Sequence, residues 1–485
     1  MTGLWLTVSD GRYPRRAGTV TGLLCGLLLV GCGRPRAPVE QKPAAGPDTA
    51  VMPATASGTG SADTSAESGE ADLLRRPAFT TAADTAEVAE AASLRDECFS
   101  LAEGIATAVP RDPAGWNLLG VVHRHYGDAE GAVRLWEHAV ALDGRFAEAI
   151  RQLGDAALER GDPAEAEQRY RQTLEIDPTA LPVVGQLAEA LLQQGDFVAA
   201  ADLLEVFIAA HPQSVPAWCA LGKTRASQQD AAAAKTAYER ALEIDADSRD
   251  AHQGIGRALL ALGDQQGAKV HLETVARLQG ENVDRYRSAK AQDTDAAAPG
   301  QWAATTHRDA ALILARRGNL PGAAEAAKRA IDLDAESGPS RSLLAALLTS
   351  DRRPAEALVV LREWCAHAPS SPEAWIGLGQ MALGQGRGDE AESALRKGIA
   401  LAPDNATGLS LLARAVAPRD VGEGLSLARR AVEAEPSPQN LYILADMLVR
   451  SNAREEALAA LEKAMTLAPG DRRYRQTYEQ LKSQP

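Results

Sequence analysis

The stretch Ala217 to Thr224, AWCALGKT, ends in Gly222-Lys223-Thr224, the residue types that close a phosphate-binding loop. Such a loop holds phosphate oxygens with free backbone N–H groups, and it needs a Gly at the position of Ala217, a preceding strand and a helix that starts at the Lys. Ala217 replaces that Gly, and the apolar spacing predicts that Gly222 lies inside a helix. The sequence therefore argues against an ATPase, and we expect no nucleotide.

Two histidines, His123 and His125, lie two positions apart on a predicted helix. Residues with this spacing point about 200° apart, so they cannot share a metal as an i, i+4 pair does. We expect His123 to pack between helices and His125 to face solvent. We find no nucleophile–base pair and no nucleophile elbow, and no segment remains for a catalytic domain. The sequence therefore predicts a protein that is not an enzyme, with no catalytic residue, no metal site and no cofactor.

Composition sets further bounds on partners. The 485 residues carry a formal net charge of −14, and hydrophobic residues make up 45% while aromatic residues make up only 4%. The apolar share is mostly Ala and Leu, which favour helices. Nucleic-acid affinity depends on Lys and Arg neutralising phosphates, so an acidic chain of this kind is not expected to bind nucleic acid. We also expect no small-molecule substrate.

The N-terminal segment has the pattern of an export signal. Arginines precede a short apolar run, residues 17–31, that is too short for an ordinary membrane-spanning helix. The run ends in Leu29-Val30-Gly31-Cys32, which resembles the lipobox of bacterial lipoproteins. This resemblance implies that residues 1–31 are removed and that Cys32 is acylated, which would anchor the chain to a membrane. The alternative is a simple signal peptide with a chance cysteine.

Residues 32–84 are rich in Ala, Pro, Ser and Thr and contain almost no bulky apolar side chain, so we expect a disordered tether. The other cysteines of the mature chain, Cys98, Cys219 and Cys365, lie far apart and show no disulfide or zinc spacing. We expect them to be single buried thiols.

The rest of the chain is periodic. Small residues recur every 34 positions in two series: Ala132, Ala166, Ala200, Ala234 and Ala268, then Ala323, Ala357 and Ala391. A fixed period of this size is typical of solenoid proteins, and it takes precedence over isolated motifs such as the phosphate-loop match.

Each period predicts two helices. Trp116, Leu119 and Gly120 lie on one helical face, Gly127-Asp128 ends that helix and caps the next, and Ala132 and Trp136 mark the face of the second helix. These residues, with Leu153, Gly154, Ala166, Tyr170 and Pro178 in the following period, resemble the tetratricopeptide repeat family. The resemblance implies an all-α fold, a right-handed α-solenoid of stacked antiparallel helix pairs.

This reading divides the chain into segments. After the signal and tether come an N-terminal array over 85–282, with a half repeat and five repeats, an insert or hinge over 283–303, a C-terminal array of five repeats over 304–471, and a capping helix over 472–485. For the insert, an ordinary loop stays open beside a hinge.

In the family that this chain resembles, the first helices of successive repeats line a concave groove where peptides bind. The resemblance therefore implies a groove formed by Asn117, Val121, Arg124, Arg151, Asp155, Glu189, Lys223, Arg257, Arg308, Gln380, Tyr442 and Asp446. Arg151, Lys223, Arg257 and Arg308 form a basic strip that can pair with carboxylates of a partner, or they are merely solvated cations on helix surfaces. The charge patterns of the family's chaperone-binding and glycosyltransferase members are not completed here.

The sequence as a whole predicts an exported, lipid-anchored protein that faces the periplasm of a bacterium and binds other proteins or peptides in this groove. Membrane contact would come only through the lipid. Two alternatives remain open: an accessory scaffold subunit of an envelope enzyme or of a polysaccharide or pilus secretion complex, and a structural spacer with no selective groove.

Overall fold

The computed structural model describes residues 73–77, 86–292 and 297–483, and within these ranges it contains 22 helices and no strand. The first twelve helices are α1 Ala86–Ala108, α2 Pro113–His125, α3 Ala129–Leu142, α4 Ala147–Glu159, α5 Pro163–Ile176, α6 Leu181–Gln194, α7 Phe197–Ala210, α8 Val215–Ser227, α9 Ala231–Ile244, α10 Arg249–Ala261, α11 Gln265–Gln292 and α12 Ala297–Arg316. The remaining ten are α13 Leu320–Leu333, α14 Gly338–Ser350, α15 Pro354–His367, α16 Pro372–Gly384, α17 Gly388–Leu401, α18 Ala406–Val416, α19 Val421–Ala434, α20 Pro438–Arg450, α21 Arg454–Leu467 and α22 Arg472–Ser483.

From α2 to α21, the helices form antiparallel pairs in which an even-numbered first helix is followed by an odd-numbered second helix. The second helices α3, α5, α7 and α9 have 14 residues each, and so do the second helices from α13 to α21. The helix α11 is the exception, with 28 residues. The predicted fold class, an all-α solenoid of stacked helix pairs, is confirmed.

In nine of the ten described helix pairs the turn contains a residue with a left-handed backbone, and the pair of α18 and α19 is the exception. Gly127 and Gly195 have φ values of +89° and +80°, a region that glycine enters without steric cost. An aspartate follows each of these glycines, and the carboxylate of Asp128 then accepts from the backbone N–H of Gly131 at 2.8 Å. The Gly-Asp pair therefore ends one helix and caps the next, as the sequence predicts.

Within a pair, the two helices approach closely because a small residue of the first helix faces a large residue of the second. A Cβ added to Gly120 would lie 2.5 Å from the ring nitrogen of Trp136, and one added to Gly222 would lie 2.7 Å from the ring of Tyr238. Gly222 thus lies in the middle of α8 and serves packing. Its location explains why Gly-Lys-Thr occurs here without a phosphate-binding loop.

Ring nitrogens close the turns between successive repeats. The indole N–H groups of Trp116, Trp218 and Trp375 each donate to the carbonyl oxygen six residues earlier, at 2.7, 2.9 and 2.9 Å. In the fifth repeat His252 occupies the same position, and its Nε2 lies 3.0 Å from the carbonyl oxygen of Ala246. The recurrent tryptophans of the sequence are therefore structural.

The chain divides into two compact units, whose described parts are residues 73–306 and 307–483; we call them the first unit and the second unit. The predicted signal peptide 1–31, Cys32 and the predicted tether to residue 84 lie outside the described residues, apart from 73–77. In that short piece, Arg76 donates to the carboxylate of Glu103 at 2.6 Å. Residues 293–296 of the predicted insert also lie outside the described ranges, and α11 and α12 contain the rest. Among the described helices, none combines the length and the apolar character that a membrane span requires. The predicted domain boundaries stay predictions.

Candidate functional site

The twelve residues of the predicted groove lie on first helices, beside the face that packs inside each helix pair. We call those of the first unit the first polar stripe: Asn117, Val121, Arg124, Arg151, Asp155, Glu189, Lys223 and Arg257. Those of the second unit are Arg308, Gln380, Tyr442 and Asp446; with Arg414, introduced below, they form the second polar stripe.

The carboxylate of Asp155 is the centre of the first polar stripe. It accepts from Arg151 Nη1 at 2.7 Å, from Tyr170 Oη at 2.9 Å and from Gln186 Nε2 at 2.6 Å, and Arg124 Nη1 lies 3.9 Å away. The Asp155 side chain is only 14% exposed. Burial, together with the charge of Asp155, raises the pKa of the Tyr170 hydroxyl, so this group stays a neutral donor. The network occupies the carboxylate from α4, α5 and α6 at once.

The other charges of the first polar stripe also pair within the protein. Arg124 on α2 forms an ion pair with Glu159 on α4, and Lys223 on α8 forms one with Glu189 on α6. Each pair joins the first helices of adjacent repeats. Arg257 is exposed, and no ion pair or hydrogen bond of its side chain occurs among the described residues. Most of the cations of this stripe therefore already face an acidic side chain of the protein.

The beginning of the first polar stripe is less charged. Asn117 is half-buried, and its Oδ1 has no hydrogen-bond donor within the described part of the chain. Val121, one turn further along α2, is half-buried as well. A partner that supplies an N–H group would satisfy the Asn117 oxygen.

In the second unit, the predicted residues are spread over three first helices. Arg308 on α12 lies 4.0 Å from the carboxylate of its neighbour Asp309. Asp446 on α20 accepts from Arg450 at 3.1 Å. The ring of Tyr442, one turn before Asp446, lies 5.6 Å from the ring of Tyr474 on α22. Gln380 on α16 is half-buried.

Sequence reasoning missed Arg414 on α18, which belongs to the same register. Arg414 follows Gln380 by one full repeat period and precedes Asp446 by slightly less than one, and this spacing would have identified it. Arg414 is half-buried, and desolvation lowers the pKa of its guanidinium, an effect that the nearby Asp446 and Tyr442 oppose. Among the described residues, its guanidinium makes no hydrogen bond and no ion pair within 4.0 Å. Arg414 therefore differs from Arg151, whose charge is paired inside the protein.

No cluster of three or more His, Cys, Asp or Glu side chains in the described ranges is placed to hold a metal ion. The thiols of Cys98, Cys219 and Cys365 are not in disulfides. Burial raises the pKa of each to about 11, so thiolates are scarce near neutral pH.

Comparison with known proteins agrees with the helix pairs. One family model described as a tetratricopeptide repeat matches residues 157–222, 225–292 and 348–415, and a second such model matches 126–180. The chain is a tetratricopeptide repeat protein. Members of this family bind other proteins or peptides, so this repeat protein is an interaction scaffold of that general class.

Solved structures with similar helices include MamA from Desulfovibrio magneticus, which is 22% identical, with 35% of this chain and 97% of that chain covered and a TM-score of 0.32. Yeast Tom70 is 15% identical, with 81% of this chain and 95% of that chain covered and a TM-score of 0.34. No curated protein sequence matches this tetratricopeptide repeat protein.

Proposed function

We propose that this repeat protein is a non-enzymatic scaffold or assembly factor tethered to a bacterial envelope, which binds partner proteins on the concave face of its first helices. The tether would be a lipid on Cys32, at the end of the lipobox-like Leu29-Val30-Gly31-Cys32. The partner segment would carry a carboxylate that docks against the second polar stripe. No nucleotide, metal or other cofactor takes part.

The observation that carries this proposal is the state of Arg414. The guanidinium of Arg414 has lost part of its hydration without gaining a bonded carboxylate. Part of its desolvation cost therefore belongs to folding, so binding a carboxylate costs less desolvation energy than it would at an exposed arginine. The fork of N–H groups on a guanidinium suits bidentate binding of a carboxylate. Tyr442 lies in the same stripe and offers an aromatic surface to the rest of such a partner.

The first polar stripe supports a different part of the proposal. Its ion pairs join α2 to α4 and α6 to α8, so they hold the first helices of adjacent repeats in register. A preformed surface loses little conformational entropy when a partner docks. We assign the first polar stripe to positioning the surface and the second polar stripe to carboxylate recognition.

Site-specific photo-cross-linking in bacterial envelopes tests the binding proposal. A photoreactive amino acid replaces Tyr442 on α20 in one sample and Leu467 on α21, a 56% exposed residue of the same repeat, in the other. We expect discrete cross-linked proteins from position 442, their loss when Arg414→Leu is added, and none of them from position 467. Identical products from both positions, or products that survive Arg414→Leu, would favour a structural spacer.

The accessory-subunit alternative predicts that an enzyme activity co-purifies with the cross-linked partner and disappears with Arg414→Leu. Membrane tethering is tested separately. We expect a labelled fatty acid to be incorporated into the wild-type chain and not into Cys32→Ser, and we expect that substitution to release the protein from the membrane fraction. Equal labelling of both chains would remove the lipid anchor from the proposal and leave partner binding intact.

A further inference from the structure

The helix α1 aligns in sequence with the second helices of the repeats, yet no first helix precedes it in the described ranges. Cys98 lies one full repeat period before Ala132, and Ala102 lies one full period before Trp136. In complete repeats these positions are covered by the first helix of the same pair. Cys98 and Ala102 are nevertheless fully buried. Another element must therefore cover them.

Part of that cover comes from the far end of the first unit, from the first turns of α12. The side chains of Thr306 and Tyr126 lie near the Cys98 thiol, and each opposes the rise in its pKa that burial causes. Trp302, one turn before Thr306, stacks on the His125 ring with a centroid distance of 3.6 Å and an interplanar angle of 9°. The Tyr126 ring meets Trp302 edge to face at 5.2 Å. The last described residues of the first unit thus close onto its first helices.

The order of the repeats along the chain predicts that α12 packs against α11, because the first helix that follows a second helix normally covers it. Trp136, Tyr170 and Leu204 occupy the same repeat position and are fully buried, whereas Leu272 at that position of α11 is 38% exposed. Ala276, four residues later, is exposed too. The face of α11 that would receive the next first helix is therefore open.

The length of α11 accounts for the difference. The helix has 28 residues where the other second helices have 14, so it is twice as long as they are. At about 1.5 Å per residue, the added half is about 21 Å of extra helix. The chain is thereby carried away from the open face of α11 before α12 begins.

We propose that the first turns of α12 are a releasable clasp: docked against α1 and α2 they close the first unit, and released they cover the open face of α11 and expose the Cys98 thiol. Two docking faces compete for one helix. The face at α11 is the one that the repeat pattern favours, and the face at α1 is the one occupied in the structure. Trp302 in the clasp is only half-buried, and we assign the opening of the clasp to a local fluctuation of the first unit.

The accessibility of Cys98 reports the state of the clasp. The full chain is treated with N-ethylmaleimide under native conditions, and the labelling rates of Cys98, Cys219 and Cys365 are followed separately by peptide mass spectrometry. Trp302→Ala removes the stacking of the clasp. We expect it to raise the Cys98 rate by about tenfold, the size of effect that one lost aromatic pair produces, and to leave Cys219 and Cys365 unchanged. Trp375→Ala in the second unit is the matched control and should leave the Cys98 rate as it is.

A second variant distinguishes movement of the α12 clasp between the two faces from a general loss of stability. Ala276→Glu adds a charge to the open face of α11 and leaves the clasp residues untouched, so it should disfavour the released state and lower the Cys98 rate. A substitution that only weakens the fold would raise that rate. The proposal is overturned if Ala276→Glu raises the Cys98 rate or leaves it unchanged. It is also overturned if Trp302→Ala leaves Cys98 protected, or exposes Cys98 and Cys219 together.

Discussion

The first and second polar stripes occupy the same register on first helices, yet the central charge is paired in the first stripe and lacks a bonded partner in the second. In the first, Asp155 is surrounded by donors from three helices and its cation neighbours are paired. In the second, Arg414 is partly desolvated without a bonded carboxylate among the described residues. The comparison shows that one repeated position can carry a fully paired charge in one unit and a charge without a bonded partner in the other.

The largest effect should follow from breaking the first polar stripe at its centre. Asp155→Ala would leave Arg151, Tyr170 and Gln186 without their shared acceptor in a site that is only 14% exposed. Removing one member of such a buried network costs about 3 kcal/mol. We expect urea unfolding followed by circular dichroism to show this loss. A change below about 0.5 kcal/mol would mean that solvent replaces the network at little cost.

In the second unit, Arg414→Leu should weaken partner binding without lowering the free energy of unfolding. We expect the free energy of unfolding to stay the same or to rise by up to about 1 kcal/mol, because a half-buried unpaired charge is replaced by an apolar side chain. Binding of a partner identified by cross-linking should weaken by about tenfold or more, since a charge-assisted hydrogen bond is lost. Arg429→Leu, at an exposed surface ion pair with Glu456, is the matched control and should bind normally. Equal binding by Arg414→Leu and Arg429→Leu would contradict the assignment of the second polar stripe.

Acid should weaken the first unit at the hairpin of α10 and α11. The Nδ1 atoms of His252 and His271 lie 2.9 Å apart, and because His252 Nε2 donates to Ala246, His252 Nδ1 must accept from His271. Burial lowers the pKa of His271 below 6.5, and the repulsion that a protonated His252 would exert lowers it further, while Glu239 opposes and Lys235 adds to this shift.

A folded-state pKa below that of the unfolded chain means that the unfolded state binds more protons. The contribution of His271 is therefore fully present above pH 6.5 and is lost as the pH falls through the lower folded-state pKa. Urea midpoints at pH 7.5 and pH 5.5 measure the decrease. His271→Gln should make the first-unit transition less dependent on pH; an unchanged dependence in that variant would place the titrating group elsewhere.

The smallest effect is expected at the edge of the first polar stripe. Lys223 and Glu189 form an ion pair whose side chains are 56% and 35% exposed. Exposed pairs contribute less than about 1 kcal/mol and weaken with salt. Lys223→Ala should therefore lower the unfolding free energy by about 0.5 kcal/mol or less, and the difference should vanish in 0.5 M salt. A loss as large as that of Asp155→Ala would show that the stripe acts as one cooperative network.

Local pattern made much of the architecture predictable. The regular spacing of Ala132 and its equivalents, the Gly-Asp turns and the facing of Gly120 by a large residue are all short-range relations along one or two helices. Because each repeat contacts mainly its neighbours, such relations are enough to predict helix pairs and their stacking. The same relations identify Gly222 as a contact residue of its helix pair and not as part of a phosphate-binding loop.

Charge pairing was less predictable, since it depends on which side chains meet between repeats. The sequence places Arg151 and Lys223 in one strip of cations, and only the structure brings Asp155 and Glu189 against them. Arg414 was overlooked because the ninth repeat is shorter and shifts the register by two positions. His125 was expected to face solvent, and although it is exposed, it also stacks on Trp302 from a helix far along the chain.

The amino-acid sequence alone determined that this protein is a row of helical hairpins, because helix formation, turn geometry and hairpin packing depend on residues within one repeat length of each other. The tertiary structure alone decided which charges of the first helices are paired, and that Trp302 in the first turns of α12 stacks on His125 of α2 while Leu272 on α11 stays exposed. Those outcomes depend on distances between residues of different repeats, and periodic sequence signals carry no information about them.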